Sequence, residues 1–136
     1  MLFTEKLPTK HRNEFLDITQ RVAELVARTG IKDGLCVVFV PHTTAAVSIN
    51  ENADPDVKHD VSHKLSHLIP EKEPYYKHSE GNSDSHLKTI LTGPSVTIII
   101  DKGKLLLGTW QGIYFCEYDG PRTRNFHVKI LGSAIT

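Results

Sequence analysis

The sequence predicts an α+β fold built on a mixed sheet, and three observations carry that reading. Short apolar runs rich in β-branched residues recur along the chain, as in LCVVFV at 35–40 and SVTIIID at 95–101, the pattern of buried strands. Three segments with helical spacing of apolar residues interrupt them. The order shows no regular strand–helix–strand alternation, so a doubly wound parallel sheet is not expected.

Each element follows from local signals. LFTEKL at 2–7 reads as a first strand, interrupted by Pro8. A helix is expected from Asn13, its cap, with Phe15, Ile18, Val22, Leu25 and Val26 in one apolar stripe. The glycines of TGIKDG at 29–34 end it. LCVVFV is a buried strand that stops at Pro41, and AAVSINE at 45–51 is the next strand. Asp54 and Pro55 carry the cap and first-turn signals of a second helix, with a stripe of Val57, Val61, Leu65, Leu68 and Ile69 that ends at Pro70. Residues 71–85 read as loop. A short helix is expected from Ser85 to about Leu91, closed by Gly93 and Pro94. SVTIIID is a strand and DKGK a tight turn. Residues 105–120 hold either two strand segments or one strand bent at Gly108. RTRNFHVKILG at 122–132 alternates polar and apolar residues and closes the sheet. The 136 residues are read as one domain, 1–136.

Composition narrows the function classes. Sixteen basic residues balance sixteen acidic ones, so no long-range field draws the chain to nucleic acid or to an anionic membrane. The longest apolar runs, such as VTIII at 96–100, are too short to span a bilayer. The N-terminal stretch has acidic residues and a proline where a secretory signal needs continuous apolar sequence, so a cytoplasmic protein is expected. Cys36 and Cys116 each lie in an apolar run and read as buried small hydrophobes, not as a disulfide framework.

Four polar constellations interrupt this ordinary pattern. In PHTTAAVSINEN, 41–52, His42 leaves a buried strand and precedes Thr43 and Thr44. A strand-end imidazole can bind a metal or move protons, and the threonines can donate to an anion; a plain turn accounts for the same residues. In DPDVKHDVSHKLSHLI, His59, His63 and His67 share a helix face opposite the apolar stripe, so they read as solvated, while Asp60 flanks the stripe where a carboxylate can reach a cleft. HSEGNSDSH at 78–86 places His78, Glu80, Asn82, Asp84 and His86 around the start of the short helix, with Lys88 one turn on. Free amides at a helix start favour phosphate, and Lys88 supplies a cation. In LLLGTWQGIYFCEYDGPRTR, Trp110 and Gln111 sit beside Gly108. Glu117 lies amid apolar and aromatic residues, either paired, metal-bound or turned to water. Arg122 and Arg124, two apart, form either a phosphate clamp or surface ion pairs.

Three blocks in order, HTTAAVSINENADPDVKHD, HSEGNSDSHLK and GKLLLGTWQGIYFCEYDGPR, resemble the YjbQ family over about residues 5–133. Ser85 departs from the pattern, where alanine is usual; serine is similarly small and can cap a helix. The resemblance implies a barrel-like α+β domain with two main helices and a short one, assembled as a homotrimer with sites near subunit borders. It also implies a secondary thiamine-phosphate synthase, which joins hydroxymethylpyrimidine diphosphate to thiazole phosphate and releases pyrophosphate. On that chemistry Glu117, His86 and Asp60 are the expected catalytic groups. Thr43, Thr44, Asn82, Lys88, Trp110, Gln111 and Arg122 would bind substrate, with Trp110 stacking on the pyrimidine or walling the pocket. His42, His86 and His78 would hold a divalent metal, zinc by ligand type or magnesium by the needs of a diphosphate. The small phosphorylated substrate is the expected partner. A metal-dependent hydrolase or lyase, and a non-enzymatic metal- or metabolite-binding trimer, are the alternatives.

Overall fold

Eight strands and three helices follow one another in the computed structural model, which describes residues 1–135. They are β1 (Leu2–Pro8), β2 (Glu14–Asp17), α1 (Thr19–Thr29), β3 (Asp33–Phe39), β4 (Ala45–Glu51), α2 (Pro55–Leu68), α3 (Ser83–Thr92), β5 (Ser95–Asp101), β6 (Lys104–Leu105), β7 (Gln111–Glu117) and β8 (Thr123–Ser133). The strands form a five-stranded sheet in the order β1-β8-β3-β5-β6 and a three-stranded sheet in the order β2-β7-β4. The two curl around one core to give the barrel-like α+β fold.

The mixed sheet expected from the sequence is corrected: every pairing among the described residues is antiparallel. The helical connections explain this. α1 joins β2 to β3, and α2 with α3 joins β4 to β5, so each leads from one sheet to the other. No helix returns the chain to the sheet it left, which a parallel neighbour requires.

Alternation sets the core. Cys36 and Val38 of β3, Ile98 and Ile100 of β5, and Phe126, Val128 and Ile130 of β8 point inward against Val22, Leu25 and Val26 of α1. β7 is buried on both faces. Ile113 and Phe115 join this core, while Tyr114, Cys116 and Tyr118 meet Ala46, Phe15 and Leu65 in a second cluster. Burial pushes the Cys36 thiol up to about 11 and the Cys116 thiol up to about 12, as expected of packing cysteines.

The first helix starts five residues later than expected, capped at Ile18 and not at Asn13. Residues 14–17 are a strand paired with β7, Phe15 opposite Cys116. The Thr19 amide donates to Asp17 Oδ1 at 2.9 Å, and Thr19 Oγ1 accepts from the Ile113 amide at 2.8 Å. These bonds place the helix start at the edge of β7. Gly30, at φ 71°, closes α1 in the left-handed conformation.

α2 begins as read, with the Asp54 side chain accepting from the Asp56 amide at 2.9 Å. Its apolar stripe buries no residue fully, and Leu68 stays 62% exposed. The stripe overlooks a cleft of about 190 Å³ floored by Phe15, Tyr114 and Tyr118. His59, His63 and His67 stack along the helix with ring centroids 6.1 and 5.9 Å apart. α3 gains two residues at its start over the expected Ser85. The segment 105–120 holds one full strand, β7, after the end of the two-residue β6 at Leu105. Among the described residues no helix is long and apolar enough to cross a membrane.

Candidate active site

Three chain segments meet at one end of the two sheets: the loop between β3 and β4, the first turn of α3, and the turn between β7 and β8. They enclose a cleft of about 330 Å³ lined by His42, Thr43, Thr44, Glu80, Asn82, His86, Asp119, Arg122 and Arg124. Six residues expected from the sequence therefore converge: His42, Thr43, Thr44, Asn82, His86 and Arg122. Asp119 was not singled out, because an aspartate before Gly-Pro reads as a turn former. Its place in the EYDGPR run, directly between Glu117 and Arg122, was the available signal.

Glu117 lies just behind this cleft and is fully buried. It does not face water, the alternative that strand alternation left open. Thr9 Oγ1 donates to its Oε1 at 2.7 Å, and Arg124 Nε donates to the same oxygen at 2.8 Å. The Asp119 amide and Arg124 Nη2 donate to Oε2. Burial alone would raise the carboxyl's pKa. The hydrogen bonds from Arg124, Asp119 and Thr9 outweigh it and hold the group below the usual glutamate range. Gly120 makes this closure possible, since a Cβ there would lie 2.3 Å from the His11 carbonyl oxygen. Arg124 also donates to Thr44 Oγ1 at 2.9 Å, which leaves the Thr44 hydroxyl proton to donate elsewhere.

Asp119 organises the other wall. Its Oδ2 accepts from Asn82 Nδ2 at 2.7 Å and from Arg122 Nη2 at 3.0 Å. Burial opposes its ionisation, but Asn82 and Arg122 hold its carboxyl below the usual range. A carboxylate only accepts, so these contacts fix which end of the Asn82 amide faces it. Arg122 is half exposed and is the more accessible of the two guanidinium groups.

His42 is held by backbone. Its Nε2 lies 3.0 Å from the Asn125 amide nitrogen and 3.1 Å from the Asn125 carbonyl oxygen, so it accepts from the one or donates to the other according to the tautomer. Burial and, after it, the nearby Arg124 push its pKa down. Nδ1 is the ring nitrogen left free by these contacts: it donates to an anion in one tautomer and is an acceptor or metal ligand in the other.

The remaining expected residues sit outside the cleft. Lys88 is buried 3.8 Å from Asp84, donates to Asn13 Oδ1 at 3.2 Å and lies 5.9 Å from the Tyr118 ring centroid. Burial pushes its amine pKa down, with Asp84 opposing. Asp84 itself is gripped by Arg12 through two bonds of 2.9 and 3.0 Å. Asp60 is 80% exposed on α2 beside His59. Trp110 and Gln111 lie at the far end of β7, roughly 20 Å along the strand from Glu117. There Gln111 Oε1 accepts from the Gly108 amide at 2.8 Å. His78 packs edge-on against His86, with centroids 5.4 Å apart, and its Nε2 is 3.7 Å from Glu80. Among the described residues no three His, Cys, Asp or Glu side chains surround a common point fit for a metal ion. His42, His78 and His86 do not by themselves form such a set within one chain.

With this geometry in place, comparison with known proteins is direct. Residues 4–133 match the family described as UPF0047 protein YjbQ-like. A UPF0047 protein of Methanocaldococcus jannaschii is 56% identical over 132 residues, covering 97% of this chain and 95% of the relative. The UPF0047 protein YugU of Bacillus subtilis is 46% identical over 132 residues, covering 97% and 100%. The crystal structure of an uncharacterised conserved YjbQ/UPF0047 family protein from Clostridium acetobutylicum matches with a TM-score of 0.93 at 52% identity, covering 95% of this chain and 99% of that one. A YbjQ-like protein of unknown function from Sulfolobus solfataricus matches with a TM-score of 0.93 at 34% identity, covering 98% and 97%.

Proposed function

The chain belongs to the UPF0047 YjbQ-like family, and from that premise we propose that its cleft binds a small phosphorylated substrate and makes thiamine phosphate. In that reaction the thiazole nitrogen attacks the methylene carbon of hydroxymethylpyrimidine diphosphate. A C–N bond forms, the C–O bond breaks, and its electron pair leaves with pyrophosphate. The observation that carries the reading is the convergence of the His42 imidazole, the Thr43 and Thr44 hydroxyls and the Arg122 guanidinium on one cleft. All are donors suited to the oxygens of a leaving diphosphate. His86 is the group placed to give that leaving oxygen a proton.

The cleft is not strongly cationic. Arg122 and Arg124 are matched by Asp119, Glu117 and Glu80. A divalent ion, zinc or magnesium, would supply the missing charge neutralisation. Such an ion would arrive bound to the diphosphate oxygens, since among the described residues no three His, Asp or Glu side chains converge on a common point. The same charge balance favours a second reading, a metal-dependent hydrolase or lyase.

One assay separates these. The protein is incubated with both precursors and a divalent ion, and thiamine phosphate and released phosphates are followed. Thiamine phosphate above background is expected, with Arg122→Ala lowering kcat/KM roughly 10- to 100-fold through loss of a charge-assisted contact. Phosphate release without joining would mean hydrolysis. Tight binding with no turnover would mean a binding module, and neither binding nor turnover would sink the reading.

The assembly proposed with it is a homotrimer. Leu35, Ile99 and Leu131 lie side by side on the outer face of the five-stranded sheet, 43%, 53% and 52% exposed. Phe39, further along the same face, leads directly to His42. The trio of Leu35, Ile99 and Leu131 is an exposed apolar patch of the kind that marks an interface, while Thr97 and Lys129 flank Val37 between it and Phe39. Light scattering is expected to give the mass of three chains for the wild type and of one for Leu35→Asp. A monomeric wild type would refute the assembly.

A further inference from the structure

A second hollow, about 610 Å³, opens beside the polar cleft and is bounded by Tyr75, Tyr76, His78, His86 and Leu87. The first turn of α3 is the partition. Asn82 lines the polar cleft, Ser83 lines the hollow, and His86 lines both. The two spaces therefore meet at a single imidazole.

Their chemistry differs. The polar cleft offers guanidinium, hydroxyl and imidazole donors. The hollow offers aromatic faces. Tyr75 is 73% exposed, and its ring stands 5.3 Å from that of Tyr76 at 79°. Tyr76 is anchored, since its hydroxyl donates to the Pro70 carbonyl at 3.1 Å. His78 and His86 stand at 82° to each other across the floor. A fixed tyrosine, a projecting tyrosine and two imidazoles make a stacking platform for a flat ring. Trp110, the aromatic expected to do this from the sequence, lies at the other end of β7.

Building on the phosphate reading of the polar cleft, we infer that this hollow holds the heteroaromatic ring of the substrate. The ring stacks on Tyr75, and the phosphates pass His86 to reach Arg122. The site is therefore bipartite and selects a nitrogen heterocycle that carries phosphate on a short arm. A phosphorylated aliphatic compound would fill only half of it. His86 stands at the junction of ring and phosphate, where the bond to the leaving group lies.

Titration calorimetry with magnesium present tests this, using hydroxymethylpyrimidine diphosphate and inorganic pyrophosphate as probes. Tyr75 is exposed, so its replacement leaves the fold intact, which an unchanged melting temperature checks. Tyr75→Ala is expected to weaken the pyrimidine diphosphate roughly tenfold, the scale of one lost stacking contact, and to leave pyrophosphate unchanged. Tyr75→Phe keeps the ring and is expected to bind like wild type. Arg122→Ala is expected to weaken both probes. If Tyr75→Ala changes neither probe, or weakens both equally, the ring lies elsewhere and the inference falls, while the Arg122→Ala result still upholds the phosphate cleft. If neither probe binds the wild type, the phosphate reading fails and takes the inference with it.

Discussion

Glu117→Ala is expected to destabilise the fold by about 3–5 kcal/mol, because it strands a buried arginine without its counter-charge. The carboxylate is fully buried, and Arg124, at the wall of the cleft, is only 5% exposed. Three further parts of the chain depend on the pair: Thr9 donates to the carboxylate, the Asp119 amide caps it, and Thr44 accepts from the guanidinium. For a chain of this size the loss should lower the melting temperature by roughly 10–20 °C. The double variant Glu117→Leu, Arg124→Met removes both charges together and should recover much of the loss. A single variant that melts within a few degrees of wild type would show that the pair does not hold the turn. The pH dependence follows from the direction of the shift. A carboxyl held below its unfolded value contributes stability that is present above the unfolded pKa and is lost as pH falls through the folded one. Urea midpoints of the wild type should therefore drop below about pH 4, where an unfolded glutamate takes up its proton, and keep falling. Glu117→Gln, which cannot ionise, should start less stable and show a shallower acid limb.

What could be read in the sequence was what is decided locally. The Asp54-Pro55 start of α2 and the β-branched run of β3 need no distant partner, and both appear where their residues place them. β2 was hidden because Phe15 and Ile18 suit a helical stripe as well as a strand. The choice is made by pairing with β7, a hundred residues away in the chain. Strand direction was hidden for a related reason: it depends on which sheet each helical connection reaches, and no residue pattern records that.

The site divides in the same way. His42, Thr43, Thr44, Asn82, His86 and Arg122 are polar residues at strand ends and a helix start, where side chains naturally project into a cleft. Glu117, Asp84 and Lys88 stood out as charged residues in apolar or capping positions, but their partners were not visible. Asp84 meets Arg12 across 72 residues, and Lys88 meets Asn13 across 75. Those three are tied into the packing between elements. Trp110 and Glu117 belong to one sequence block, yet an extended strand holds its two ends far apart. Adjacency in a motif gave closeness in the chain and not in space.

Under the proposed reaction, His86→Ala should lower kcat by roughly 100-fold or more, the usual cost of removing a positioned proton donor. The ring is half-exposed on the first turn of α3, and the contact that it makes with His78 is edge-on. Its removal opens no core, so the melting temperature should stay close to wild type. KM should change far less than kcat, because Arg122, His42 and the threonines still meet the phosphates. That split separates a proton donor from a group that only binds. His86→Gln keeps a hydrogen-bonding side chain of similar reach but cannot carry the proton, so it should be about as slow as the alanine variant. His42 offers the instructive contrast. Its Nε2 lies against the Asn125 backbone, amide and carbonyl alike, so His42→Ala leaves a half-buried backbone group without its partner and should lose about 1–3 kcal/mol of stability alongside any activity. A loss confined to kcat at His86, beside a mixed loss at His42, would separate the proton donor from the anchor. If His86→Ala keeps kcat within about threefold of wild type, well short of a general acid's contribution, His86 is not the proton donor.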